Sequence, residues 1–194
     1  MTGRLEDFNP LELAHLRQRK PIWLTDDEYR STFSQVPRLC ADGVVVTDDD
    51  KRVLLIQRSI PPTIGKWCLP GGKKDLNEKL EDTVKRKVYD ETGIYVDVDR
   101  TVGLRGLVGV YDDPLIDRVY WQRGRGYQID PDWENTFTDS TGVTYLVRQV
   151  GGTLRAGKDT GDVSFFYFEN LPGVIASHHF DVLQDAYKLL RRVS

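Results

Sequence analysis

Asp90 and Glu91 stand side by side in the stretch RKVYDETG, residues 86 to 93, directly before a glycine two positions on. Neighbouring carboxylates suit a hard divalent cation, which takes oxygen ligands and lowers the pKa of a bound water. The same stretch allows a plainer use. Arg86 stands four residues before Asp90 and Lys87 four before Glu91, the spacing of exposed helical ion pairs that contribute about 0.3–0.5 kcal/mol each. Burial separates the two. Leu80, Val84 and Val88 recur every fourth residue and predict a helix from Asp75 to Thr92, capped by Asp75 or Asn77 and stopped by Gly93. At 100° per residue Lys87 and Glu91 fall on or beside that apolar stripe. A carboxylate buried there without a partner costs several kcal/mol. The last-turn position adds a helix-dipole penalty of about 0.3–1 kcal/mol for each acid.

The surrounding text predicts what holds this helix. Residues 1–36 read as a helical N-terminal extension of two short helices: Asn9 and Pro10 open PLELAHLRQRK, and Thr25 with Glu28 forms a capping-box pattern before DDEYRSTFSQ. These helices pack on the domain or serve as a homodimer contact or lid. From residue 37 the texture turns to β type. GVVV (43–46) and RVLLIQR (52–58) predict a hairpin around TDDDK. The link IPPTIGKWCLPGGKKD, rich in proline and glycine, leads to Gly71 and Gly72. Further strands are predicted in IYVDVD, LRGLVGVYDD, RVYWQ, GVTYLVRQV and DVSFFYF, and a final helix over residues 180–192. Between them WQRGRGYQIDPDWENTFTDSTG reads as a long polar loop without periodicity. Strands outnumber helices, and a mixed α/β layered domain over 37–194 follows.

Composition excludes several classes. With 39% hydrophobic and 29% charged residues in 194, the chain suits one buried core, not a disordered or membrane protein. No apolar run is long enough to span a bilayer, and the charged first twenty residues lack a secretory h-region. The cytoplasm is the expected compartment. A net charge of −3 gives no general attraction to nucleic acid. Cys40 and Cys68, in no CxxC spacing, are expected as buried free thiols.

Gly72, Glu78, Arg86, Val88, Glu91, Gly93 and Ile94 fall at the spacings of the box that defines the Nudix hydrolases, and the chain resembles that family from about residue 37 onward. RSIPPTIGKWCLPGG is similar to the strand and loop leading into its helix, VGVYDDPLIDR to a segment of its nucleotide-sugar and ADP-ribose branches, and AGKDTGDVSFFYFENLP to its C-terminal strand. The resemblance implies an α/β/α sandwich with a mixed sheet. It implies hydrolysis of a nucleoside diphosphate linked to another moiety, a nucleotide sugar or ADP-ribose type, with Mg2+ or Mn2+. Glu78, Asp90 and Glu91 are then the candidate metal ligands, Arg86 orients Glu78, and Arg58, Gly71, Gly72, Lys87 and Tyr111 are candidates to bind substrate.

Two box positions depart from the pattern: Lys87 and Asp90 stand where the family has glutamates. Three readings of Lys87 compete. It pairs with Glu91 and fills the metal position, leaving a non-catalytic nucleotide-binding domain; it turns aside to a phosphate; or the base has moved elsewhere. Family members place a catalytic glutamate in the loop matched by AGKDTGD, whose acids are Asp159 and Asp162; an ordinary turn is the competing use. Some relatives acting on GDP-mannose also lack the first box glutamate, so glycosidic cleavage is a variant. His178 and His179, at the entry of the last helix, read as structural more than titrating, and Trp23, Trp121, Trp133 and Tyr111 as anchors more than base-stacking rings.

Overall fold

The computed structural model describes residues 24–112, 118–131, 139–157 and 159–193. The helix expected over residues 10–20, Trp23 and Trp133 lie outside them. In chain order the described elements are α1 (Asp26–Phe33), β1 (Arg38–Val46), β2 (Arg52–Arg58), β3 (Trp67–Cys68), β4 (Gly71–Lys73), α2 (Leu80–Thr92), β5 (Ile94–Val98), β6 (Leu107–Asp112), β7 (Val119–Gln122), β8 (Gly126–Ile129), β9 (Ser140–Gly152), β10 (Thr160–Tyr167), a 3-10 turn (Phe168–Asn170), β11 (Val174–Ala176) and α3 (His179–Val193).

The strands form one mixed sheet in the order β5-β9-β1-β2-β3-β11-β7-β8, with β10 on β2, β4 on β1 and β6 on β9. β1 runs parallel to β9 and β11 parallel to β3; the other pairs are antiparallel. The predicted hairpin is there, with Val46 opposite Val53. Because successive strand residues face opposite sides, each central strand feeds two cores. Val44 and Val46 of β1, Val53 and Leu55 of β2 and Leu146 of β9 pack with Val182, Leu183, Ala186 and Leu190 of α3. Ala41, Val45, Leu54 and Val147 pack instead with Val84 and Val88 of α2. Burial on both faces explains why GVVV and VLLI are continuously apolar, and it makes the domain an α/β/α sandwich.

Three expectations need correction. The main helix begins at Leu80, with Lys79 as its N-cap, not at Asp75. Residues 75–79 form a separate turn with Asn77 at φ 65°, because the Glu78 carboxylate accepts the backbone N–H of Asp75 at 3.1 Å and the Thr83 hydroxyl at 2.7 Å. Second, part of the expected polar loop is ordered: GYQI is strand β8, paired with β7 from Val119–Ile129 to Gln122–Gly126. Gly124 and Gly126, at φ 78° and 72°, supply the positive φ that its tight turn demands. Third, Cys68 is buried but Cys40 is half-exposed; both are free thiols.

The capping box that opens α1 is formed in both directions, with Thr25 N–H donating to Glu28 Oε2 at 2.8 Å and Glu28 N–H to Thr25 Oγ at 3.4 Å. None of its residues is buried, so tertiary packing contributes little to this helix. Among the described residues no helix is long and apolar enough to cross a membrane.

Candidate active site

The box helix ends as its sequence dictates. Gly93 takes the left-handed conformation, φ 74°, and its N–H returns to Tyr89 O at 2.8 Å. The next orphan carbonyls find partners in the segment before β10, since Arg155 N–H donates to Thr92 O at 2.8 Å and Gly157 N–H to Glu91 O at 2.9 Å. A Cβ on Gly157 would lie 2.0 Å from Asp90 O, so only glycine allows this approach.

Glu91 is 14% exposed in its side chain and points to the glycine pair. Its Oε2 accepts Gly71 N–H at 2.9 Å. Its Oε1 lies 2.8 Å from Lys87 Nζ, and the Lys87 side chain is itself only 24% exposed. A Cβ on Gly72 would sit 2.8 Å from Lys87 Cε, so the lysine stem runs in the space that glycine leaves. Burial pushes the Glu91 carboxyl above the usual carboxylate range, opposed by Lys87, Gly71 N–H and Arg58.

The other two expected metal ligands are held apart from this pair. Both Glu78 oxygens take a bond from Arg86, at 2.8 Å each, and this pairing holds the carboxyl at about 2, against an ordinary 4.5. Glu78 therefore ties its turn to α2 through Arg86. Asp90 is mostly exposed and lies 3.9 Å from Arg86. A folded pKa below the unfolded one stabilises above the unfolded value and is lost as pH falls toward about 2. Glu78→Gln is expected to cost roughly 1–2 kcal/mol at pH 7, a difference that closes in urea titrations run toward pH 2–3; a gap constant with pH would refute it.

Above Gly71 and Gly72 opens a cavity of about 740 Å3, within the usual ligand-pocket range. Among the described residues Arg30, Arg38, Arg58 and Lys73 line it, against one carboxylate, Asp42. Arg58 is braced by the carbonyls of Pro62, at 2.7 Å, and Pro61, at 3.2 Å. Tyr29 of α1 donates a face, its hydroxyl 3.3 Å from Arg38. Asp42 is 7% exposed, directly opposite Gly71 across β1 and β4, and a Cβ on Gly71 would lie 2.0 Å from Asp42 Oδ1.

Asp42, His178 and His179 converge, with one donor atom of each within 4.8 Å of the others. Leu69 N–H, however, donates to His179 Nδ1 at 2.7 Å, so the proton of the neutral ring sits on Nε2 and that nitrogen has no lone pair for a metal. Burial, with His178 and Arg58 nearby, holds His179 well below its ordinary pKa. The group is a hydrogen-bonding wall of the cavity. Cys68 lines the same cavity, its thiol pushed up to about 12 by burial.

Of the expected substrate-binding residues, Arg58, Gly71 and Gly72 border the cavity; Tyr111 does not, since its ring stands 5.3 Å from His178 and its hydroxyl donates to Asp185 at 3.3 Å. Lys87 is turned to Glu91 rather than aside. Trp121 stacks on Phe180, with centroids 3.9 Å apart, which makes it an anchor for α3. Asp159 and Asp162 are exposed turn and strand residues outside the cavity wall; the Asp162 carboxylate accepts Val163 N–H at 2.7 Å. Sequence reasoning missed Asp42, Arg38 and Arg30. An acid inside the apolar run RLCADGVVV was the available signal for Asp42.

The family model for the NUDIX domain matches residues 37–186. The chain is 30% identical over 175 residues to an ADP-ribose pyrophosphatase of Methanocaldococcus jannaschii, covering 90% of this chain and 88% of that protein. A MutT NUDIX hydrolase from Burkholderia pseudomallei superposes with a TM-score of 0.56 at 25% identity, over 77% of this chain and 98% of the other. The NUDIX domain of Shewanella oneidensis NrtR, solved with ADP ribose, shares the fold at a TM-score of 0.54 and 23% identity, over 86% and 99%. With the box spacing set on a helix against Gly71 and Gly72, and the family model spanning both core layers, this chain belongs to the Nudix family of hydrolases.

Proposed function

We propose that this hydrolase cleaves a nucleoside diphosphate linked to a sugar-type moiety, ADP-ribose or a nucleotide sugar. The observation that carries the reading is the charge of the cavity. Among the described residues, four cationic side chains and the Gly71–Gly72 backbone line the cavity against one carboxylate, Asp42, with Asp75 paired to Lys73 at 3.2 Å, in a protein that is acidic overall. Such a surface selects a polyanion, and the planar guanidinium groups of Arg38 and Arg58 suit phosphate oxygens. The archaeal relative named as an ADP-ribose pyrophosphatase supports the choice.

Hydrolases of this family generally use divalent metals. Glu78, engaged by Arg86, and Glu91, engaged by Lys87, do not form with Asp90 the open oxygen set that Mg2+ or Mn2+ needs. What the chain itself supplies is positive charge and a walled cavity. For the base we favour Asp159. Its carbonyl accepts Ser59 N–H at 3.3 Å, which holds its turn beside the Arg58–Ile60 wall, and Gly157 ties the same segment to the end of α2. Asp162 stands second, its carboxylate being engaged by Val163. The compartment proposed is the cytoplasm, supported by the two unbridged thiols.

Wild type incubated with ADP-ribose and a series of nucleotide sugars is expected to release phosphate monoesters, read by coupled phosphatase. Asp159→Asn is expected to lower kcat by about 10²-fold or more. Free sugar with a nucleoside diphosphate, in place of sugar phosphate with a nucleoside monophosphate, would point to glycosidic cleavage instead. Tight binding of these ligands without turnover would replace the reading by that of a nucleotide-binding domain, which the Lys87–Glu91 contact favours.

A further inference from the structure

The Lys87–Glu91 contact differs from an ordinary surface pair at the same spacing. The lysine stem lies in the space left by Gly72, its ammonium meets one oxygen of a buried carboxylate, and the other oxygen is fixed by Gly71 N–H. These features join two parts of the chain, β4 and α2, and together they build a seat for one positive charge. Arg58 adds to the positive field on Glu91 from the cavity side. A divalent ion at Glu91 would have to displace an ammonium that already satisfies this carboxylate, against the repulsion of that same ammonium. Glu78, in the turn before α2, has both oxygens on Arg86, and Asp90, exposed at the end of α2, lies 3.9 Å from the same arginine, so neither completes a set with Glu91.

We propose that Lys87 is a built-in counter-ion that replaces the divalent metal of the box helix, so that this chain binds its diphosphate ligand without an ion on α2. The proposal rests on the reading that the cavity takes a nucleoside diphosphate. The cations that neutralise the ligand are covalently part of the protein: Arg38 and Arg58 on the wall, with Lys87 holding Glu91 beneath them. One consequence is reversibility by design, since exchanging the ammonium for a carboxylate restores an acid at the fourth position before Glu91 and creates an oxygen pair.

The test titrates Mn2+ into wild type, Lys87→Glu and Glu91→Gln, following the electron paramagnetic resonance signal of the free ion. Calorimetry measures ADP-ribose binding in excess chelator and in Mg2+. Wild type is expected to leave the manganese signal unchanged, and Lys87→Glu to bind the ion at least about tenfold more tightly. Wild-type affinity for ADP-ribose is expected to agree within about twofold between chelator and Mg2+. Manganese uptake by wild type that Glu91→Gln abolishes, or ADP-ribose binding that collapses in chelator, overturns the proposal. Lys87→Gln, which removes the charge without adding an acid, decides the same question should Lys87→Glu fail to fold: tighter uptake supports the proposal and unchanged uptake overturns it. If wild type binds no ADP-ribose in either condition, the function proposed above falls, while the manganese titration still decides the role of Lys87.

Discussion

Replacing Lys87 with methionine is expected to destabilise the fold by about 2–3 kcal/mol at pH 7, somewhat below the 3–5 kcal/mol typical of halving a fully buried ion pair. Methionine keeps the stem beside Gly72, so the loss is of charge and not of packing. Glu91 is left with Gly71 N–H and the more distant Arg58 as compensation. Its folded-state pKa, already raised by burial, rises further. A raised carboxylate leaves the fold fully stable below the unfolded pKa of about 4.3 and costs stability as pH climbs through the folded value. The gap between wild type and Lys87→Met should therefore be small near pH 4 and grow toward pH 7. Urea unfolding across that range measures it; a gap equal at both ends would mean that Lys87 acts only by filling space.

The second large effect is expected at Gly71. Its substitution by alanine places a Cβ 2.0 Å from Asp42 Oδ1, 2.7 Å from Asp42 Cα and 2.8 Å from Ala41 O. Two of those atoms are backbone in the central strand β1, so they cannot swing away. β4 must lift, which loosens the Gly71 N–H bond to Glu91 and the nearby bond from Gly43 N–H to Pro70 O. Overpacking of this kind costs roughly 1–3 kcal/mol and sometimes more. The floor of the cavity moves with it, and ADP-ribose binding should fall by at least about tenfold. Gly173→Ala is the control, since nothing lies within 4 Å of its added Cβ. Thermal unfolding and calorimetry on both variants decide the matter, and equal behaviour would remove Gly71 from the site.

The sequence made some of this legible and hid the rest for physical reasons. The apolar stripe of α2 was readable because Leu80, Val84 and Val88 repeat at the helical period, and the buried place of Glu91 followed from geometry. The true start of the helix was not, because Glu78 is drawn out of it by Arg86, a tertiary bond that outweighs local propensity. The cavity was half visible. Gly71 and Gly72 announced close approach, yet the partner that demands it, Asp42, sits in another strand. Strand β8 escaped notice because it is a short edge strand whose exposed alternate residues carry little hydrophobic signal. The clasp of Arg155 and Gly157 on the end of α2 had no local signature at all, since main-chain donors are the same in every residue.

The parallel ladder of β1 with β9, from Arg38–Ser140 to Val46–Arg148, also bears on how the chain is made. On the ribosome the first long strand emerges well before its parallel neighbour. Until residues 140–148 leave the exit tunnel, one edge of Ala41–Val46 has no partner, and Val45 has no Val147 to cover it. The nascent chain must carry an apolar open edge, a template for pairing with other chains. Completion of the fold is thus a late event, and a polypeptide stalled before β9 is expected to aggregate more readily than the finished chain.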